Sequence, residues 1–316
     1  MRHDLTLSVH GYEIPAALEV PSGPVAGAVL LIPGSLFSNV DGDYPSWNMF
    51  PRTNAFLAEQ MAERGLVVYR FAKNGPGTGT VETPAAQTEL VRNNWKGRAT
   101  IAHAALAHFR SELATRGIAA PRTVISGHSE GAVVASVIAA EGAVCDGVVL
   151  LSGPSVGILG IMIEQARNMQ LPGAGDGPAL LLAKFVAHIR NNEPIPDDLR
   201  KQAAGPFGAG ALVNMPPDAL AYMRDCDATD PVATIAGVDR PVLIIQGDTD
   251  SSVPVHHAEK LRAGRGSKST TVRIFDGLQH MYKPIPPGAS PQEIFGLTGP
   301  TDPRVAEAID EFVRGL

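Results

Sequence analysis

Cysteine is almost missing from this chain of 316 residues, with only Cys145 and Cys226 present. Two such distant residues build neither a Cys-x-x-Cys metal spacing nor a disulfide framework, and both are expected to be buried free thiols. Basic residues are also few: 26 Lys and Arg stand against 32 Asp and Glu, for a formal charge of −6. They are scattered, so there is no field for a phosphate backbone and nucleic acid is not an expected partner. Long apolar runs are missing as well. The longest, Val25 to Pro33, falls far short of the roughly 18 residues a membrane span requires, and the opening MRHDLTLSVHGYEIPAALEV has no uninterrupted apolar segment of a secretory signal. A cytoplasmic protein with no membrane partner is expected. Internal repeats and low-complexity tracts are absent, and 44% hydrophobic with 18% charged residues is the balance of an ordinary folded protein.

What is present is alternation. Residues 4–9 and 13–20 read as two strands of a hairpin turning at His10-Gly11. AVLLI (28–32), a helix near 53–64 and LVVYRF (66–71) begin a strand–helix–strand order. A helix from about 85 to 116, a strand at 123–126, an Ala/Val-rich helix at 132–140, GVVLLS (147–152), VLIIQ (242–246), TVRIF (271–275) and a closing amphipathic helix at 305–313 continue it. The pattern predicts an α/β fold, a doubly wound, mostly parallel sheet. Between Ser152 and Pro241 the alternation stops, and helical pieces near 157–171, 179–191, 197–204 and 217–226 take its place. Residues 1–153 and 230–316 are therefore assigned to the core and 154–229 to a helical cap, or lid, over the sheet's carboxyl edge.

The polar GHSEG at 127–131 interrupts the apolar pattern between a strand and a helix. A serine hydroxyl needs an elbow that aims it outward, with small residues two before and two after so that backbones can approach; Gly127 and Gly131 flank Ser129 in this way. The bland alternative is an N-cap serine in a glycine turn. A base and an acid should follow later strands. QGDTDSSVP (246–254) presents Asp248 and Asp250 after one strand, and GLQHMY (277–282) presents His280 after the next. Ser129, Asp250 and His280 thus fall on one sheet edge, with Asp250 preferred because Asp248 is placed to cap the turn. His256 and His257, after Pro254, are read as surface first-turn residues, and His10, His103, His108 and His188 as solvent or packing histidines. The Glu130 amide is the first oxyanion donor; the second comes from PGSLFSNVDGD (33–43), where Ser35 and Leu36 are the candidates because Pro33 lacks an N–H. Asp41 and Asp43 lack the later glutamate of a calcium loop and are expected to anchor the loop, so no metal is assigned. Met162 and Phe185, on apolar helices of the insertion, could line an acyl pocket or simply pack.

These residues resemble the α/β-hydrolases, and within them the serine hydrolases with a helical cap between the sixth and seventh strands. The likeness rests on the GHSEG elbow, QGDTDSSVP, the histidine of LQHMY, YRFAKNGPGTG (69–79) and DPVATIAGVDRPVLIIQGD (230–248). It departs at Pro33-Gly34, where many members have His-Gly, and at Asn74, where arginine is common. The resemblance implies a carboxylesterase-like enzyme without a cofactor, acting on a small-molecule ester through Ser129, His280 and Asp250. A serine in place of aspartate argues against the dehalogenase and epoxide hydrolase branches. A thioesterase, amidase or acyltransferase would use the same residues, and a non-catalytic small-molecule binding module is the reading from another class.

Overall fold

The computed structural model describes residues 1–86, 95–168, 176–203, 208–289, 293–294 and 296–316. Strands β1 (Arg2–Val9) and β2 (Tyr12–Glu19) open the chain as an antiparallel hairpin. His10 and Gly11 both take positive φ, 47° and 82°, the pair of left-handed residues that lets a two-residue turn match the strand twist. Seven strands follow: β3 (Gly27–Ile32), β4 (Leu66–Phe71), β5 (Val81–Glu82), β6 (Thr123–His128), β7 (Gly147–Leu151), β8 (Val242–Gly247) and β9 (Thr270–Phe275). Their spatial order is β1-β2-β4-β3-β6-β7-β8-β9, with β5 beside β2. Pairings from β4 to β9 are parallel, and those of β2 with β1, β4 and β5 are antiparallel. The expected doubly wound, mostly parallel sheet is therefore present. The two exposed residues of β5 carry no apolar period and were not foreseen.

Helices α1 (Thr53–Glu63), α2 (Trp95–Thr115), α3 (Glu130–Ala140), α10 (His256–Gly264) and α11 (Pro303–Arg314) flank the sheet; further helices lie between β7 and β8. Of the helix expected from about 85 to 116, the described part is α2 (Trp95–Thr115); Ala85 lies in a turn, and 87–94 fall outside the described residues. The central strands β3, β4, β6, β7 and β8 are buried on both faces because their alternate side chains serve two cores. Leu30, Ile125, Leu150 and Ile244 pack with Phe109 of α2 and Ile138 of α3, while Leu31, Val124, Val149 and Ile245 pack with Leu57 of α1 and Ile309 of α11.

The chain between β7 and β8 adds no strand among the described residues. Helices α4 (Ile158–Asn168), α5 (Gly177–Arg190), α6 (Asp197–Arg200), α7 (Ala209–Val213) and α8 (Pro217–Asp227) enclose a separate apolar cluster that includes Leu159, Leu182, Ile189, Leu212 and Met223. Phe185 is fully buried in that cluster, so its role is packing, whereas Met162 lies partly buried at the margin. A short α9 (Pro231–Ala236), capped by the Asp230 carboxylate on the Val232 and Ala233 amides, leads back to β8. No described helix is long and apolar enough to cross a membrane.

Candidate active site

Strand β6 passes into α3 through Ser129, whose φ of 55° and ψ of −121° are strained for any residue with a Cβ. The crowding that imposes this turn is backbone against backbone. A Cβ on Gly127 would stand 1.9 Å from the Gly131 carbonyl oxygen, and one on Gly131 would stand 2.5 Å from that of Ile32. Both flanking positions therefore require glycine. Ser129 occupies the N-cap position, yet its side chain makes no capping bond, so the capping reading fails. Among the described residues its half-buried hydroxyl forms no hydrogen bond, to His280 or to any other group.

Loops after β8 and β9 bring Asp250 and His280 together, with Asp250 Oδ2 2.8 Å from His280 Nδ1. Both residues are buried. Asp250 Oδ1 accepts from the Ser252 and Val253 amides, each at 2.9 Å, and Oδ2 also accepts from Gln246 Nε2 at 2.8 Å. Burial alone would push this carboxyl up, but His280 and the hydrogen bonds outweigh it and hold Asp250 below the usual carboxylate range. An ionised, acceptor-only carboxylate leaves the proton on Nδ1 and the lone pair on Nε2. Asp248 is exposed and accepts from the Gly277 amide at 2.6 Å; it ties the two loops, and Asp250 meets the histidine.

His280 is joined to the elbow through a residue the sequence reading passed over. His128, the last residue of β6, donates from Nε2 to the His280 carbonyl at 2.8 Å, and the two rings lie 4.7 Å apart. Burial, with the neighbouring His280 acting in the same direction, lowers the His128 pKa to about 3, so the ring is neutral. Its place directly before the elbow serine, at the strand end, was the available signal.

The loop after β3 lies against the same elbow: a Cβ on Gly34 would come 3.1 Å from the His128 carbonyl oxygen and 3.3 Å from Ser129 Cβ. Ser35 follows, half-buried, and then Leu36, exposed and at φ 62°. The amides of Ser35, Leu36 and Glu130 donate to no acceptor among the described residues. The acidic pair farther along anchors this loop. Asp41 Oδ1 lies 3.1 Å from Nη2 of the fully buried Arg70 and 2.8 Å from Arg2, and Asp43 accepts from the Arg52 amide at 2.9 Å.

The Glu130 side chain is buried beneath the elbow, its Oε1 3.2 Å from Lys73 Nζ, 3.0 Å from the Tyr222 hydroxyl and 3.0 Å from Arg98 Nε. The Arg98 contact is an ion pair by distance but lacks hydrogen-bond alignment at Nε. One carboxylate between two cations is over-compensated: burial would raise its pKa, but Lys73 and Arg98 hold it below the usual range. Lys73 is under-compensated, and burial with Arg98 brings it down to about 8 despite Glu130.

Of the two histidines read as surface first-turn residues, His256 stands partly exposed at the helix start, and His257 requires a correction. His257 is fully buried rather than a surface residue, because α4 covers it. Its Nδ1 accepts from the Ser155 amide at 3.1 Å, and its Nε2 points at Glu164 Oε2, 3.0 Å away. Glu164, His256 and His257 bring potential metal-ligating atoms within 4.8 Å of one another. Since the Ser155 amide fixes Nδ1 as an acceptor, Nε2 carries the proton, and a cation at that nitrogen would have to displace it. The trio is a polar seam between α4 and α10, with His256 Nε2 3.2 Å from the Glu164 oxygen that His257 bonds. His103 pairs with Glu141 and His108 with Tyr69, away from the elbow. A cleft of about 660 Å³ lined by Arg122, Asp146, Arg240 and Ser269 lies at the opposite edge, where the strands begin, and contains none of the groups above.

Solved structures share this architecture along their whole length. Est1E from Butyrivibrio proteoclasticus is 16% identical with a TM-score of 0.53, over 98% of this chain and 96% of its own. The proline iminopeptidase of Mycobacterium smegmatis is 14% identical with a TM-score of 0.59, over 99% and 98%. The esterase PF2001 of Pyrococcus furiosus is 12% identical with a TM-score of 0.55, over 99% and 91%. At such identities the likeness is one of fold alone. No curated protein matches the sequence. The sequence model of the alpha/beta hydrolase family, however, matches residues 29–295, most of the chain, and the protein belongs to that family.

Proposed function

We propose that the protein is a serine hydrolase that cleaves a carboxylic ester of a small or medium apolar substrate. The observation that carries this reading is the buried Asp250–His280 pair, at 2.8 Å, pinned through His128 to an elbow that holds Ser129 in a strained backbone. Asp250 keeps the imidazole in the tautomer whose Nε2 can take a proton. Ser129 Oγ attacks the acyl carbon as its proton passes to Nε2. The charge that develops on the carbonyl oxygen is met by the Glu130 amide and by that of Ser35 or Leu36, at the positive end of α3. Collapse expels the alcohol, which leaves with the proton from His280, and water then repeats the sequence on the acyl-serine to release the acid. A hydrogen bond between serine and base that is open in the free enzyme commonly tightens when substrate binds.

The apolar preference is supported by Leu36, which is exposed two residues after Gly34, the glycine that abuts the elbow at Ser129. Ester chemistry on this fold has parallels: the Pyrococcus furiosus neighbour is an esterase, and Est1E has been captured with ferulic acid. Thioesterase, amidase or acyltransferase chemistry would use the same three residues with a different leaving group or acceptor. A non-catalytic binding module would have no use for the strained serine or the ionised pair. The test is labelling with a fluorophosphonate probe, followed by p-nitrophenyl esters of increasing acyl length. Wild type is expected to label once, at Ser129, with labelling abolished in Ser129→Ala and His280→Ala. A folded wild-type protein that does not label overturns the reading.

A further inference from the structure

We propose that the Glu130 carboxylate and Arg98 are positioning residues that assemble the oxyanion hole, and that Tyr222 makes this assembly depend on docking of the helical insertion. This rests on the ester-hydrolase reading above and deepens it. The two donors of the hole come from chain segments far apart in sequence, the elbow at Glu130 and the loop after β3, and nothing in the backbone pairing of β3 with β6 extends far enough to align them.

Arg98 spans that gap. Its Nη2 donates to the Pro33 carbonyl at 2.7 Å and reaches the Gly34 carbonyl at 3.4 Å, while its Nε stands 3.0 Å from Glu130 Oε1. Arg98 and Glu130 are both buried, so water does not compete for these contacts. A trans peptide sets its C=O and its N–H antiparallel. A guanidinium that holds the Gly34 carbonyl therefore sends the Ser35 amide to the opposite side, leaving it free to face a developing oxyanion. The same guanidinium anchors, through Glu130, the residue whose own amide is the other donor. Gly131, one residue on, is pressed against the Pro33 carbonyl, where a Cβ would lie 2.6 Å away, so elbow and loop also meet directly at the peptide that Arg98 grips.

Tyr222 brings the insertion into this arrangement. It sits on α8, packed at the margin of the insertion's apolar cluster, and its hydroxyl donates to Glu130 Oε1 at 3.0 Å. Lys73 completes the set, 3.2 Å from the same oxygen and 5.8 Å from the Tyr222 ring. When α8 is docked, the carboxylate is held from three sides. When it is not, Glu130 loses a donor and Arg98 loses part of what aligns it with the loop.

The experiment uses the full chain with Arg98→Met and Tyr222→Phe, the second removing a single hydroxyl so that folding is preserved. For each we would measure kcat and KM on the best p-nitrophenyl ester, and inhibition by a trifluoromethyl ketone and by the matching methyl ketone. The trifluoromethyl ketone forms a hemiketal with serine and places an oxyanion in the hole; the methyl ketone reports ground-state binding. Arg98→Met is expected to lower kcat by about 10²-fold with KM little changed, as for loss of one oxyanion donor, and to weaken the trifluoromethyl ketone in parallel while the methyl ketone binds as before. Added guanidinium should restore part of the rate. Tyr222→Phe should shift the same quantities in the same direction, by a smaller factor. If wild type labels with the fluorophosphonate but both variants keep the wild-type kcat and ketone discrimination, or lose affinity for both ketones equally, the proposal fails while the hydrolase reading stands. If wild type does not label, the hydrolase reading itself has failed.

Discussion

Replacing Ser129 by glycine should stabilise the protein relative to replacing it by alanine, although the proposed function makes both variants inactive. The reason lies in the backbone of the elbow. At φ 55° and ψ −121° a residue with a Cβ is held in a sparsely populated region, at a cost of about 1–3 kcal/mol. Alanine keeps that cost and glycine removes it. Glycine in turn loses more freedom on folding, about 0.5–1 kcal/mol, so the net gain over alanine is about 1 kcal/mol. The hydroxyl contributes no described hydrogen bond to offset this. For 316 residues, with an unfolding entropy of about 2.1 cal/mol/K per residue, 1 kcal/mol moves the melting temperature by about 1.5 °C. Differential scanning calorimetry of the two variants, checked by urea denaturation, resolves such a difference. If Ser129→Gly melts at or below Ser129→Ala, the elbow stores no strain and the link between its geometry and an outward-aimed nucleophile is wrong.

Asp250→Asn presents an amide to His280 Nδ1 and favours the wrong tautomer, so kcat should fall by about 10⁴-fold by analogy with other triads; steady-state kinetics with titrated active sites measures it, and a loss below tenfold contradicts the assignment. Gly131→Ala would drive a Cβ to 2.5 Å from the Ile32 carbonyl oxygen, a backbone clash expected to cost about 3 kcal/mol or more and to lower the urea midpoint markedly; an unchanged midpoint would mean that the elbow has room. His128 stays neutral down to about pH 3 in the folded protein, whereas in the unfolded chain it takes up a proton near pH 6.5. The folded state therefore binds fewer protons across that window, and stability is full above pH 6.5 and declines toward pH 3, by about 3 kcal/mol at pH 4.5 from this residue alone. His257, brought down to about 4 chiefly by burial, acts in the same direction. Urea denaturation at pH 7 and 4.5 should show a shallower acid loss in His128→Gln, and an equal loss in both proteins would refute the assignment.

The parts of the site visible in the sequence are those fixed by local chain geometry. GHSEG between an apolar run and an Ala/Val helix can only be a strand-to-helix turn, and Asp250 and His280 each follow directly on a strand that the apolar pattern reveals. Groups whose roles depend on tertiary pairing were not visible. Lys73 and Tyr222 meet Glu130 across 57 and 92 positions, and no spacing rule connects them. His257 was misread for the same reason: the start of a helix after Pro254 looks exposed until α4 is laid across it. The Ala85 turn, with no apolar period broken, was equally silent.

The same division explains how the insertion is attached. Most of its buried apolar side chains lie within its own cluster, while its described hydrogen bonds to the core are few and polar: Tyr222 to Glu130, Ser155 and Glu164 to His257, Gln165 Nε2 to the Ser252 carbonyl and Asn168 Nδ2 to the Ser251 carbonyl. Each such bond contributes about 0.5–1.5 kcal/mol net, far less than opening the sheet core would cost. The insertion should therefore detach as a unit before the sheet unfolds. Native-state hydrogen exchange should show amides of α4, α5 and α8 sharing one opening free energy, several kcal/mol below that of β3, β6 and β8. Tyr222→Phe should lower the first and leave the second unchanged. Equal protection in both regions would mean that the insertion and the sheet form one cooperative unit, and that α8 cannot leave Glu130 without global unfolding.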